Sequence, residues 1–182
     1  MDVYLVRHGE AAASWGQSAD PGLSELGQRQ AQDVAQALLP QLAPHTRLFS
    51  SPLARARETA APLGRELGAE VAISDVFREI PAPVPLPERQ TWLRGFMRQR
   101  WEEQPESLHA WRDSAFQTLL ALDTPAVIFT HFLVINAVVG RVQDRPETCC
   151  FMPDNGSITH LRLEDGALEL AALGRELETV VN

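Results

Sequence analysis

Apolar positions fall into two rhythms along this chain, and each predicts its own kind of element. Val3-Tyr4-Leu5-Val6 is an unbroken apolar, β-prone run, the pattern of a strand covered on both faces. Arg47-Leu48-Phe49-Ser50, a weaker stretch over 71–77 and Ala126-Val127-Ile128-Phe129-Thr130 repeat it. Between these strands apolar residues recur at helical spacing. Leu26, Ala31, Val34, Ala35, Leu38 and Leu42 predict a helix over about 25–39 with Ser24 as its N-cap. Ser51-Pro52 opens a second helix with proline at its first position, ending near 64–68. Further helices are predicted around Trp92, Leu93, Phe96, Met97 and Trp101, over 107–122, and from Phe132 to a stop at Gly140. Late in the chain the rhythm changes to alternation. Ile158-Thr159-His160-Leu161-Arg162-Leu163, the turn pair Asp165-Gly166 and residues 167–171 read as an antiparallel hairpin at one edge of the sheet.

Strands alternating with helices predict an open α/β sheet, in which ligands bind beyond the carboxyl ends of the strands. The first strand ends in Arg7 and His8, followed by Gly9, where the backbone can turn sharply and admit a ligand. The strand at 126–130 ends in the same way, in His131. Two histidines after similar strands are placed to converge on one crevice. The corner at Ser51, Pro52 and Arg55 joins a strand end to a helix N-terminus, which favours anions, and Arg55 adds a full charge there. Arg57 is equally compatible with a solvated helix face. The aromatic positions at 92, 96, 101, 111 and 116 read as packing surface, and His45, His109 and His160 as structural.

Prolines 81, 83, 85 and 87 forbid regular helix or central strand, so the chain makes an extended excursion there. Residues 81–106 read as an insertion beside the site, acting as a lid or as a dimer surface, within one domain spanning 1–182.

Composition narrows the chemistry. The net charge of −8 argues against nucleic acid as a partner, so any anionic ligand must be met by a local basic pocket. All 16 basic residues are arginine, which clamps anions but cannot serve as a base; lysine-based chemistry and a P-loop are excluded. Cys149 and Cys150 are adjacent and have no partner at metal-ligand spacing, which predicts neither a disulfide framework nor a metal cluster. No apolar run approaches the length of a membrane span and no leader pattern opens the chain, so a cytoplasmic protein is expected.

Taken in order, Leu5-Val6-Arg7-His8-Gly9-Glu10, Leu23-Ser24-Glu25-Leu26-Gly27, Ser50-Ser51-Pro52-Leu53-Ala54-Arg55-Ala56, Glu79-Ile80, Thr130-His131 and Asn155-Gly156-Ser157 resemble the histidine phosphatase superfamily, the phosphoglycerate mutase-like fold. The resemblance implies a three-layer α/β/α sandwich with a mostly parallel central sheet, an antiparallel edge and helices on both faces. It also implies a phosphatase that uses no cofactor and no metal. His8 would attack phosphorus, Arg7, Arg55 and His131 would hold the phosphoryl oxygens together with His8, and Glu79 would act as general acid and base. The expected partner is a small phosphorylated substrate, with no membrane association, and the protein is a monomer or a homodimer.

Three departures from the pattern mark this chain. Ile80-Pro81-Ala82-Pro83 stands where mutase and sugar-phosphatase branches carry Gly-x-Trp-Glu, which leaves Glu88 as a competitor to Glu79. Phe132 replaces the glycine that often follows the second histidine. The Trp-Asn pair usual after Arg-His-Gly is unmatched, with Trp15-Gly16 nearby and Ser14 or Gln17 as substitutes for the missing contact. Two further activities stand beside the leading one: mutase-type phosphoryl transfer, and removal of phosphate from phosphohistidine in a signalling protein.

Overall fold

The computed structural model describes residues 1–13 and 17–178. Six strands form one sheet in the order β3-β2-β4-β1-β5-β6. The strands are β1 (Asp2–Arg7), β2 (Arg47–Ser50), β3 (Val71–Ile73), β4 (Ala126–Thr130), β5 (Ile158–Glu164) and β6 (Ala167–Ala172). The first four run parallel, while β5 pairs antiparallel with β1, and β6 with β5. β1 and β4 are central, buried on both faces as their unbroken apolar runs require.

Alternate residues of these strands feed two separate cores. Tyr4, Val6, Val127 and Phe129 pack against Val34 and Leu38 of α1 (Glu25–Leu38) and Ala60 and Leu63 of α2 (Ala54–Leu67). Val3, Leu5 and Ile128 face the other way, onto Ala115 and Leu119 of α4 (Glu106–Leu120) and Val134 and Val138 of α5 (Phe132–Val142). The molecule is therefore the expected three-layer α/β sandwich with an antiparallel edge. Ser24 caps α1 as expected, its side chain accepting from Gly27 N at 3.0 Å.

Several boundaries differ from the sequence reading. α2 begins at Ala54, not at Pro52: Ser51 Oγ accepts from Leu53 N at 3.2 Å and bends the chain first, leaving Leu53 as N-cap. Only 71–73 of the weak strand pair in the sheet, because Ser74 turns into a single 3₁₀ turn, Asp75–Phe77. Gly140 does not end α5, which runs on to Val142 with Gly140 packed near Cys150.

The excursion after β3 has its own character. Its prolines lead through a 3₁₀ turn, Leu86–Glu88, into the short α3 (Arg89–Phe96). Trp101 starts a separate 3₁₀ turn rather than continuing that helix, and Trp101 N donates to Pro146 O at 2.9 Å. Leu93, Phe96 and Trp101 turn inward and bury a third core with Ile80, Phe132 and Leu133. This cluster sits over the N-terminal turn of α5, the helix that begins next to His131.

Candidate active site

The carboxyl ends of β1 and β4, the first turn of α2 and the 3₁₀ turn after β3 bring Arg7, His8, Arg55, Glu79 and His131 together. All five are buried, at 9%, 3%, 4%, 3% and 0% exposure. Such burial is costly for polar groups unless they are partnered or reserved for a ligand.

His8 is the best-defined member. Its Nδ1 lies 2.7 Å from the carbonyl of Gly9, so that nitrogen carries the proton and donates, leaving the Nε2 lone pair available. Arg55 Nε donates to this Nε2 at 3.2 Å. Burial, with the charges of Arg55 and Arg7 beside it, holds the imidazole well below its ordinary pKa, so it is neutral at pH 7. The backbone around it is held from three directions. Gly9 N donates to Thr59 Oγ1 on α2 at 3.0 Å, Asn155 Nδ2 donates to the carbonyl of His8 at 3.1 Å, and a Cβ on Gly9 would stand 2.5 Å from the Gly27 carbonyl of α1. That last approach is why glycine is needed at position 9.

Arg7 reaches over the ring of Phe132, 5.2 Å from its centroid, and donates from one terminal nitrogen to Pro153 O at 2.9 Å. Burial lowers it to about 10, which leaves it charged at neutral pH. Phe132 thus forms an apolar wall against the guanidinium. His131 stands edge-on to His8, ring centroids 5.3 Å apart, and hydrogen-bonds through Nε2 with Ser51 Oγ at 2.7 Å. Its Nδ1 is buried without a hydrogen-bond partner among the described residues. Burial first, then His8 and the surrounding arginines, keeps this ring neutral as well.

Glu79 accepts from Ile80 N at 3.0 Å and from Leu133 N at 3.3 Å. Those bonds and Arg55 favour the carboxylate, but complete burial outweighs them and its pKa is raised. Glu88, by contrast, is exposed in the 3₁₀ turn before α3. A cleft of about 280 Å³ opens at Glu79, walled by Leu53, Ile80, Pro81, Val84 and Arg89. A wider groove of about 530 Å³ lies along α2 and β3 and holds none of these groups; it is where Arg57 sits, away from the pocket.

The helix N-terminus contributes less to the pocket than the sequence implied. Asp20 Oδ1 accepts from Ala54 N at 2.7 Å and occupies the first turn of α2, so Arg55 serves through its side chain. His160 on β5 stacks on Tyr4 and pairs with Asp2 of β1, His109 packs near Trp101, and His45 lies in a loop with φ of 64°. Ser14, Trp15 and Gly16 lie outside the described residues, and Gln17 is exposed. The sequence placed Ser51 only in the anion-binding corner and assigned no role to Thr59, Arg89 or Asn155. Ser51 and Asn155 were visible within recognised motifs, whereas Thr59 and Arg89 carry no signal outside the folded chain.

Residues 3–176 match the model of the histidine phosphatase superfamily (branch 1), and the chain belongs to that superfamily. Within it, 85 residues are 38% identical to a probable phosphoglycerate mutase, GpmB, of Photorhabdus laumondii, covering 44% of this chain and 38% of the relative. Another 38% match, over 87 residues, is to the PE-PGRS family protein PE_PGRS11 of Mycobacterium tuberculosis, covering 45% of this chain and 15% of that one. The chain thus matches well under half of either relative's length. The fold is that of the phosphoserine phosphatase of Entamoeba histolytica, with a TM-score of 0.76, 23% identity and 96% of each chain covered. A mycobacterial glucosyl-3-phosphoglycerate phosphatase superposes with a TM-score of 0.75 at 22% identity, over 97% of this chain and 99% of the other. Among the described residues no helix is long and apolar enough to cross a membrane.

Proposed function

We propose that this protein hydrolyses a phosphomonoester of a small molecule through a phosphohistidine formed on His8, without a cofactor. The observation that carries this reading is the state of His8: a neutral ring whose Nδ1 is fixed by Gly9 O and whose Nε2 lone pair faces Arg55. In the first step Nε2 attacks phosphorus. The N–P bond forms as the ester P–O bond breaks, and the proton of Glu79 passes to the departing oxygen, giving the alcohol. Arg55 exchanges its bond to Nε2 for one to a phosphoryl oxygen, where Arg7 also bears, and the unpartnered nitrogen of His131 offers a further contact. In the second step Glu79, now a carboxylate, takes a proton from water. The water oxygen bonds to phosphorus, the N–P bond breaks, and its electron pair returns to Nε2 with release of phosphate.

Glu79 suits both steps because burial raises its pKa toward the acid that the first step needs, while the bonds from Ile80 N and Leu133 N favour the carboxylate that the second step needs. The first part of the 81–106 excursion, from Pro81 to Arg89, walls the cleft at Glu79 on the side where the leaving group would lie. The solved structures of similar fold include phosphatases named for phosphoserine and glucosyl-3-phosphoglycerate, in keeping with a small phosphorylated substrate.

The test is release of inorganic phosphate from p-nitrophenyl phosphate and a panel of small phosphomonoesters, with EDTA present. Turnover that resists EDTA and vanishes in His8→Ala supports the reading; turnover retained in His8→Ala overturns it. The 38% match to a probable phosphoglycerate mutase keeps transfer as the second reading. Interconversion of phosphoglycerates faster than phosphate release would favour it.

A further inference from the structure

Glu79 belongs to no helix or strand: it follows the 3₁₀ turn Asp75–Phe77 and precedes the proline run that opens the excursion. Its carboxyl end accepts from Ile80 N and Leu133 N, but those bonds act at the tip of a side chain with several rotatable bonds. The base of that side chain is set by the backbone, and the backbone is held from outside the segment. Two side chains donate to consecutive carbonyls just ahead of Glu79. Thr130 Oγ1, at the end of β4, donates to Phe77 O at 2.8 Å, and Trp111 Nε1, on α4, donates to Arg78 O at 3.2 Å.

The second bond bears directly on Glu79. The carbonyl of Arg78 and the N–H of Glu79 belong to one planar peptide unit, so a donor on that oxygen fixes the plane from which the Glu79 side chain departs. The guanidinium of Arg78 is turned away to Asp75 at 2.8 Å. Trp111 is itself well anchored, because its ring packs against both the α4–α5 core and the core of the excursion. An indole N–H can only donate, so its role at a carbonyl is unambiguous. The bond is open to solvent, where water can take over the carbonyl. Its loss therefore frees the peptide without leaving a buried acceptor bare.

We propose that Trp111 is a positioning residue for Glu79: its indole N–H holds the Arg78–Glu79 peptide so that the carboxyl group reaches the leaving oxygen. The inference rests on the phosphatase reading above, in which Glu79 is the general acid. Helical spacing puts Trp111 on a packing face, and the structure gives the same ring a polar task. General acid catalysis is sensitive to such placement, since proton transfer needs the donor within hydrogen-bond reach of the departing atom.

Trp111→Phe keeps an aromatic ring and removes the donor. The experiment measures kcat/KM, which reads the step in which the leaving group departs, for ethyl phosphate and for p-nitrophenyl phosphate, whose leaving group needs little protonation. Wild type, Trp111→Phe, Glu79→Gln and the double variant are compared. In Trp111→Phe the ratio of ethyl to p-nitrophenyl phosphate should fall by about threefold to tenfold, carried by the ethyl ester, as expected for one hydrogen bond. In the Glu79→Gln background the same substitution should leave the ratio unchanged, because no acid is left to position. An equal loss on both esters, or a ratio unchanged by Trp111→Phe, overturns the proposal. So does an equal fall in the ratio with and without the Glu79 carboxyl. Should Trp111→Phe not fold, 3-benzothienylalanine placed at position 111 keeps the bicyclic shape without the N–H and reads the same ratio. A ratio that Glu79→Gln does not lower would instead overturn Glu79 as the acid, and failure of wild type to release phosphate from either ester would overturn the phosphatase reading.

Discussion

The pocket at the ends of β1 and β4 and the excursion over 81–106 touch each other but are built by opposite means. In the pocket, Arg7 and Arg55 stand on β1 and α2 while His8, Glu79 and His131 follow directly or closely on regular elements; all are buried, and bonds to backbone and hydroxyl groups such as Gly9 O, Thr59 Oγ1 and Ser51 Oγ hold the site. The excursion is proline-rich, with two single 3₁₀ turns and one short helix, and is held by aromatic and aliphatic packing. The groups proposed to act on phosphorus stand at strand ends, in the first turn of α2 and just past the 3₁₀ turn after β3. The excursion that walls the cleft at Glu79 has a core of its own.

The largest test of that division is His8→Ala. It removes the neutral imidazole whose Nε2 is held toward Arg55, and activity on every substrate should fall by about 10⁴-fold or more, with no phosphorylated protein trapped after acid-free quenching. Trp101→Ala tests the other region. Emptying its place among Phe96, Leu108 and Leu133 should cost about 3–5 kcal/mol of stability, read by denaturant unfolding. The protein that remains folded should still form phosphohistidine; loss of that chemistry in a folded variant would show the regions to be inseparable.

Glu79→Gln should lower turnover of alkyl phosphates by about 10²–10³-fold, and of p-nitrophenyl phosphate less, because that leaving group needs little protonation. The same assignments fix the pH profile. Turnover falls on the acid side as His8, depressed by burial, takes up a proton, and on the alkaline side as Glu79, raised by burial, loses one. Glu79→Gln should remove the alkaline limb.

A smaller effect concerns stability. The folded pKa of His8 lies below its unfolded value of about 6.5, so between the two the unfolded chain binds a proton that the folded one does not, and stability declines as pH falls. Glu79, raised in the folded state, acts in the opposite sense. Comparison with His8→Ala isolates the histidine: the drop in Tm from pH 7 to pH 5.5 should be shallower in the variant. Smallest of all, Asp2→Asn disturbs a pair with His160 in which both groups are partly exposed, and should cost about 0.2–1 kcal/mol, with kcat unchanged.

The two regions also differ in how far the amino-acid sequence reveals them. β1 and β4 are unbroken apolar runs whose next residue is histidine, so both the sheet and the meeting of His8 with His131 follow from pattern and strand polarity. Ser24 and the late alternation at 158–163 were equally plain. Pro52 misled because its ring suits a first helical position, while the hydroxyl of Ser51 fixes a bend that postpones the helix. Trp101 fits the helical spacing of Trp92 and Phe96, but the chain leaves α3 at Met97 and returns its backbone to Pro146. The carbonyl of Pro153 that holds Arg7 has no side-chain signature at all, and the place of Arg89 depends on the path of the whole excursion.

The close contact of Gly9 with Gly27 bears on how the chain becomes active as it folds. The ring of His8 is oriented by the Gly9 carbonyl, and that peptide is pinned by α1 through Gly27 and by α2 through Thr59, while Asn155 grips the residue before it. A sheet without its docked helices would leave the imidazole free to rotate and to change tautomer. Turnover is then a clock for assembly: during refolding it should return with the docking of α1 and α2, after the strands have paired, and intermediates should be chemically silent.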